Sequence, residues 1–355
     1  MRSILFHVPG RIGAVPLFGW GALLAVWGVI AVVALARGIR RDGWSRALLH
    51  LGPQIALTGA FVLWGLPALD DGAGVPVRGY GVMLLVAAAA GTWLSIVRGR
   101  RMGFDADTIL ALGLEVFLAG LVGARLFYVV EYHAQFFPPG RSLVAALPEI
   151  LNLAAGGLVV FGSLPTAALA AWWFARRRGL SLPRLADCVA PGLLVGLALG
   201  RVGCFLNGCC YGGPCDLPWG VRFPPHSPPW LDQVARGLLP APTGDTPAPW
   251  SLPVHPAQIY AAIDAALLAW LAVLFTPFAR RDGAVFALVL SLHPISRILL
   301  EMIRIDEPGA LGTSLSISQL ISLVLLGLAG LAWGVLWLSP AAARPQGDAG
   351  REDRR

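Results

Sequence analysis

Long apolar runs separated by short arginine-bearing loops set the pattern of this chain. Runs of about 18 or more apolar residues read as membrane spans. Nine stretches qualify, at 18–36, 53–69, 79–97, 109–130, 155–175, 185–205, 257–278, 284–303 and 316–338. The second is short and holds Pro53 and Pro67. The first is long for the core of a signal peptide, and Arg37, Arg40, Arg41 and Arg46 follow it, so it reads as an anchor. The pattern predicts an all-α polytopic membrane protein with about nine transmembrane helices.

Loop charge then predicts orientation. Arg37–Arg46 follow the first span, Arg98, Arg100 and Arg101 the third, Arg176–Arg178 the fifth, and Arg280 and Arg281 the seventh. Every second loop is arginine-rich, and such loops stay in the cytoplasm. The N-terminus is therefore expected outside and the C-terminus inside a bacterial inner (plasma) membrane. The loop 206–256, rich in Pro and Gly, falls outside, and the polar tail 341–355 reads as disordered and cytoplasmic.

Composition supports the membrane reading. Of 355 residues, 56% are hydrophobic and 13% charged, against about 25% charged in soluble proteins. All 27 basic residues are arginine and the net charge is +7. In a membrane protein that excess sets orientation, and no nucleic-acid partner is expected.

Ionisable residues inside spans are costly and usually have a function. Glu115, Arg125, Asp187, Arg201, Asp264, Arg297, Glu301 and Arg304 belong to this group. Each alone is as consistent with a structural ion pair or a snorkelling end as with a site. His293, Arg297, Glu301 and Arg304 are spaced four, four and three residues apart, which puts them on one helix face. One carboxylate between two guanidiniums leaves positive charge for an anion. The anion a membrane offers is a lipid phosphate, which a guanidinium holds through paired hydrogen bonds. Arg201, near the outer end of its span, adds a third cation.

From about residue 76 to 338 the chain resembles the prolipoprotein diacylglyceryl transferases. The resemblance rests on an ordered set of motifs: Gly79-Tyr80-Gly81, Gly123-Ala124-Arg125-Leu126, Gly200-Arg201-Val202-Gly203-Cys204-Phe205-Leu206-Asn207-Gly208-Cys209-Cys210-Tyr211-Gly212, Trp219-Gly220-Val221, His255-Pro256-Ala257-Gln258-Ile259-Tyr260, the Arg297/Glu301/Arg304 spacing, and Ser318-Gln319 with Ser322. It implies a seven-span transferase core at 76–340, preceded by two added spans within 1–75. It also implies transfer of a diacylglyceryl group from phosphatidylglycerol to the lipobox cysteine of a prolipoprotein signal peptide. Phosphatidylglycerol, that signal peptide and membrane lipids are the implied partners, with no metal or other cofactor. Arg201 and Arg297 are expected to bind phosphate, with Glu301 orienting them. Tyr80, Arg125, Asn207, Gly212, Gln258 and Arg304 are expected to form the substrate site.

The chain departs from the family at the thiol base. The segment Gly156-Gly157-Leu158-Val159-Val160-Phe161-Gly162-Ser163 carries Phe161 where a His or Tyr is usual. His293, one turn before Arg297, and His255 are the replacement candidates, against a helix kink at His293-Pro294 and a structural hydrogen bond at His255. Cys204, Cys209, Cys210 and Cys215 lie on the expected outer face. A disulfide, packed free thiols and a metal site all remain open for them. Two further readings stand beside the transferase: a non-catalytic relative that binds lipid or lipoprotein, and a thiol oxidoreductase or metal-handling protein.

Overall fold

The computed structural model describes residues 4–138, 140–152, 156–240, 248–304 and 312–338. The expected tail 341–355 lies outside the described residues.

In lipid, each backbone N–H and C=O needs a partner within its own segment, so uninterrupted apolar sequence becomes helix. The helices are α1 (Ala22–Asp42), α2 (Trp44–Ala60), α3 (Leu66–Ala68), α4 (Gly79–Arg101), α5 (Ala106–Glu131), α6 (His133–Phe136), α7 (Leu143–Leu151), α8 (Val160–Arg178), α9 (Leu182–Asn207), α10 (Pro228–Ala235), α11 (Ala257–Phe275), α12 (Ala284–Glu301) and α13 (Ile317–Leu338). A π-helical turn, Phe61–Gly65, joins α2 to α3. Counting Trp44–Ala68 as one segment, eight helices among the described residues are long and apolar enough to cross a membrane. The chain is an all-α polytopic membrane protein.

Two expected spans differ in detail. The stretch expected at 155–175 is α8, which starts at Val160 and ends in Arg176, Arg177 and Arg178. Those arginines shorten its apolar run, so it falls outside the eight. The stretch expected at 53–69 begins earlier, at Trp44, and carries Pro53 inside the helix. A helix in lipid tolerates the missing N–H where local π adjustments re-satisfy nearby carbonyls.

Four short strands were not expected. β1 (Ile4–Val8) pairs antiparallel with β4 (Val75–Arg78), and β2 (Arg11–Ile12) pairs with β3 (Val15–Pro16). The pairing of β1 with β4 bridges the whole α1–α2–α3 excursion. It leaves the chain at Arg78, immediately before α4.

Helix α9 is the hub of the bundle and packs against α4, α8, α11 and α12. Small residues allow the close crossings. A Cβ on Gly91 would lie 2.7 Å from the Gly192 carbonyl oxygen, so α4 and α9 meet there backbone to backbone. In the same way Gly123 of α5 meets Gly162 of α8, each facing the other's carbonyl.

The arginine-rich end is tied by buried polar groups. Ile109, Leu112, Phe174, Leu185 and Cys188 form its apolar core. Arg98, counted in the sequence as a loop arginine, instead lies buried in the last turn of α4. It donates to the carbonyls of Cys188 (3.2 Å) and Asp187 (3.0 Å) and to Thr276 Oγ1 (3.1 Å). The Asp187 carboxylate accepts from the backbone N–H groups of Gly283 and Phe286, both at 2.7 Å, and so caps α12. Glu115 pairs with Arg177. Asp187 and Glu115 are thus span carboxylates with structural partners.

The loop after α9 makes its own backbone partners. Val221 and Val254 exchange N–H···O bonds of 3.0 Å, and the Cys215 N–H donates to the Pro253 carbonyl (3.0 Å). Tyr211, Phe223 and Val254 are buried beneath.

Candidate active site

The opposite end of the bundle gathers most of the residues singled out in the sequence. Its floor is the end of α9. Gly208 closes that helix in the left-handed region (φ 77°) and donates to the Phe205 carbonyl (3.2 Å), while Cys209 N–H donates to the Cys204 carbonyl (3.2 Å). This reciprocal pair satisfies the last carbonyls of the helix and folds residue 209 back over residue 204. Cys210 follows with φ 60°, a strained position for a non-glycine residue.

Tyr80, in the first turn of α4, covers α9 at Gly203. A Cβ on Gly203 would come within 3.2 Å of Tyr80 Cδ2 and 3.1 Å of Met83 Cβ. Asn207 is exposed, and its side chain reaches the Cys209 thiol.

The strand-like turn 211–213 docks between two other elements. Gly212 N–H donates to the His255 carbonyl, His255 N–H to the Gly213 carbonyl, and Gly213 N–H to the Ile303 carbonyl, each at 2.9 Å. A Cβ on Gly212 would meet His255 Cβ at 2.7 Å and the Ile303 carbonyl oxygen at 3.2 Å. Only glycine fits, and through it the α9 loop, the start of α11 and the end of α12 are held together. Gln258, 1% exposed, donates from Nε2 to the Cys209 carbonyl (2.7 Å). Tyr260 accepts from Trp219 Nε1 (2.7 Å), and its hydroxyl lies 3.3 Å from His255 Nδ1.

Helix α12 supplies the charged face. Arg297 Nη1 is 2.8 Å from Glu301 Oε2, Arg304 Nη1 is 3.7 Å from the same oxygen, and Arg297 Nη2 donates to Ser318 Oγ of α13 (2.9 Å). The Glu301 carboxylate is buried, so it fixes both guanidiniums without neutralising both. One turn earlier, His293 Nδ1 is buried and has no hydrogen-bond partner among the described residues. Asp264, on α11, accepts from Ser296 (2.8 Å). Asp264, Arg297 and Arg201 are the charges nearest His293.

Arg201 differs from the other arginines of this end. It is partly buried, and none of its guanidinium N–H groups has a protein acceptor among the described residues. Cys210 is within electrostatic reach of Arg201 and Arg304. Hydrogen bonds from the Cys204 and Cys209 thiols, and then the field of those two arginines, pull the Cys210 thiol well below its usual range. The sequence treated four outer cysteines as one set. The structure brings Cys204, Cys209 and Cys210 together and buries Cys215 apart from them, beneath the Pro253 carbonyl.

Arg125 stands elsewhere. Its guanidinium donates to five backbone carbonyls: Glu149 (2.6 Å), Ile150 (2.8 Å), Asn152 (3.2 Å), Gly156 (2.7 Å) and Gly157 (2.8 Å). Tyr128 and Phe136 flank it. Gly157 has a left-handed backbone (φ 78°), and a Cβ there would also overlap Tyr128 and Arg125, so the position calls for glycine. The Gly-Gly motif and the Gly-Ala-Arg motif are therefore two halves of one clasp, which positions the segment leading to Phe161.

A buried carboxylate held between two arginines at the end of an apolar helix, with Arg201 at the same end of the bundle, defines a class: a polytopic membrane protein with a charged site set among its helix ends. The comparisons agree. The sequence model of the prolipoprotein diacylglyceryl transferase family matches residues 69–335, and the chain belongs to that family of transferases. A phosphatidylglycerol–prolipoprotein diacylglyceryl transferase of Rhodopirellula baltica is 29% identical, over 95% of this chain and 89% of its own length. One of Clostridium tetani is 28% identical, over 74% of this chain and 95% of its own. A third, from Streptomyces coelicolor, is 30% identical over 74% of this chain and 64% of its own. The first alignment leaves out too little of the chain to miss α1 and α2.

Proposed function

We propose that the protein transfers the diacylglyceryl group of phosphatidylglycerol to the lipobox cysteine thiol of a prolipoprotein signal peptide, the first step of lipoprotein maturation. The observation that carries this reading is Arg201. A partly buried guanidinium without a protein acceptor among the described residues, at the same end of the bundle as Arg297, Glu301 and Arg304, is suited to be one half of a phosphate cradle. In the reaction the thiol sulfur attacks the glyceryl carbon that bears the phosphate oxygen. The S–C bond forms, the C–O bond breaks, and glycerol phosphate leaves with the electron pair. Arg201 and Arg297 stabilise the charge that grows on that leaving group. Glu301 and Arg304 hold Arg297 in place. Tyr80, Asn207, Gly212 and Gln258 shape the site around the substrate.

The thiol must lose its proton, because the thiolate is the nucleophile. Phe161 offers no acceptor. His293 is our proton acceptor, since its buried Nδ1 has no hydrogen-bond partner among the described residues and its ring feels the charges of Arg297 and Arg201. His255 is the second candidate, but its ring already meets Tyr260. Arg125 acts indirectly, by fixing the backbone at residues 149, 150, 152, 156 and 157 rather than by touching lipid.

Loop arginine alternation supports a bacterial inner membrane with the arginine-rich ends on its cytoplasmic side, the N-terminus and the 206–256 loop outside and the C-terminus inside. The seven-span core is 76–340, and 1–75 is an addition to it. A single cysteine introduced into the loop of a cysteine-free variant should react with an impermeant maleimide in intact spheroplasts. Labelling only after lysis would reverse this topology.

The test of the activity is transfer from phosphatidylglycerol vesicles to a lipobox peptide. Thioether product supports the reading. Lipid binding without product would favour a non-catalytic relative, the reading for which Phe161 argues.

A further inference from the structure

We propose that Cys204, Cys209 and Cys210 bind a divalent thiophilic d10 cation, zinc in the biological setting, and leave its fourth coordination position open to a thiol. The metal site stands on geometry alone; the identity of the incoming thiol as the substrate cysteine rests on the transferase reading.

The three Sγ atoms lie within 4.8 Å of one another. A zinc–sulfur distance of about 2.3 Å requires sulfurs roughly 3.7–4 Å apart, so small rotations close the triangle. The backbone builds it. The end of α9 folds Cys209 over Cys204 through the N–H of 209 and the carbonyl of 204, and the left-handed turn at Cys210 (φ 60°) sends the third thiol back to the same point. Strain at a non-glycine residue persists where the surroundings enforce it, and such positions cluster at functional sites. Gln258 holds the Cys209 carbonyl from below, and its own Oε1 is buried without a partner among the described residues.

Three thiols are an awkward set for a disulfide, since any pair leaves an odd sulfur. They form a complete three-ligand set for a metal with an open position, the arrangement that soft divalent ions take when a further ligand must enter. On binding, each thiol releases its proton to solvent. Three thiolates and a divalent cation carry one net negative charge, and Arg201 and Arg304, the arginines nearest Cys210, balance it. A thiol entering the fourth position loses its proton more readily. That supplies, at the metal, the activation that Phe161 cannot give.

Cadmium is the probe. The reduced, metal-free protein in detergent is titrated with Cd2+, and sulfur-to-cadmium charge-transfer absorption is recorded. One equivalent should bind in the wild type, in Cys215→Ser and in Cys188→Ser, and the absorption should disappear in Cys204→Ser and Cys210→Ser. In the wild type alone, Cd2+ should also slow maleimide labelling of the three clustered thiols and not of Cys215, which holds even if a variant misfolds. A lipobox peptide should then raise the absorption, and its Cys→Ser version should not. Absorption unchanged in the cluster variants, or no protection of the three thiols, overturns the metal site. Cadmium binding without a peptide-dependent rise overturns the thiol position. Binding and peptide rise without any transfer of lipid would leave the site standing and remove the transferase reading.

Discussion

The N-terminal helix pair and the transferase core are made from similar apolar sequence but are held by different forces. In α1 and α2 few side chains are buried by protein. Trp27 packs over Gly59 and donates to Thr58 Oγ1 (3.0 Å), Gly38 lets Leu51 approach, and the rest of the pair faces outward. Its firmest tie to the core is the β1–β4 pairing. In the core, glycine crossings bring backbones together and buried charges find partners: Arg98 with carbonyls, Asp187 with the α12 N-terminus, Arg125 with five carbonyls. Apolarity places a helix in the bilayer, but in lipid it gives little force between helices. Specific position comes from small residues and satisfied polar groups, and the charged site needs exactness of position that the N-terminal pair does not.

Substitutions should therefore be severe in the core and mild in the pair. The largest effect is expected for Arg297→Ala, which removes the proposed phosphate donor and the cation 2.8 Å from Glu301. Loss of one preorganised donor costs about 2.7–4 kcal/mol, a 100- to 1000-fold fall in turnover. Arg297→Lys should recover part of it, because the charge remains while the planar fork is lost. Turnover per folded molecule in the peptide assay checks both.

Arg125→Ala should act on stability. Carbonyls that stay buried without a donor cost about 1–3 kcal/mol each, so folded yield and melting temperature should drop while the molecules that fold keep a normal pH profile. Gly212→Ala comes next. Its Cβ would press on His255 and Ile303, a clash of the overpacking kind worth about 1–3 kcal/mol. Turnover should fall through loss of loop docking, seen as faster proteolysis of the 206–256 loop.

Deleting residues 22–68 should change turnover by less than about tenfold, under 1.4 kcal/mol in the barrier, because β1 can still pair with β4. Deleting 4–74 should cost more, since β4 ends at Arg78, two residues before Tyr80. Equal losses in the two deletions would mean that the helix pair, and not the strand clamp, supports the site.

The smallest effect belongs to the clamp. The Asp71 carboxyl is held below its ordinary 3.8, first by the Ala73 N–H and then by His7. A depressed carboxyl stabilises the fold above its unfolded pKa and loses that contribution as pH falls through the lower folded value. Asp71→Asn should thus lower the melting temperature slightly at neutral pH and not at all near pH 2. The group is solvent-exposed, so the difference should be small.

Much of this was legible in the sequence. Run length gave the spans, and the four-four-three spacing put Arg297, Glu301 and Arg304 on one face. The ordered motifs gathered His255, Gln258, Tyr80 and Arg201 before any geometry was known. Less visible were features that depend on a distant partner. β1 is five residues whose pairing lies across the α1–α2–α3 excursion. Arg98 looks like a loop cation because burial against Cys188 and Asp187 leaves no local signal. Asp187 could be either a structural or a site carboxylate until the start of α12 is seen donating to it. Arg125 shares its motif strength with Arg201, and only the carbonyls of Glu149, Ile150, Asn152, Gly156 and Gly157 separate a clasp from a ligand. The cysteine triangle was half visible: Gly208 marks a helix end, but the turn at Cys210 has no sequence mark.

The central claim is that Arg201 is a free phosphate-binding cation. Its direct test is turnover of Arg201→Ala per folded molecule, at saturating lipobox peptide and phosphatidylglycerol, with the melting temperature measured in parallel. No protein acceptor among the described residues depends on this guanidinium, so the melting temperature should stay at the wild-type value while turnover falls about 100- to 1000-fold. Near-normal turnover, or a loss of activity that only follows a loss of folded protein, would contradict the account.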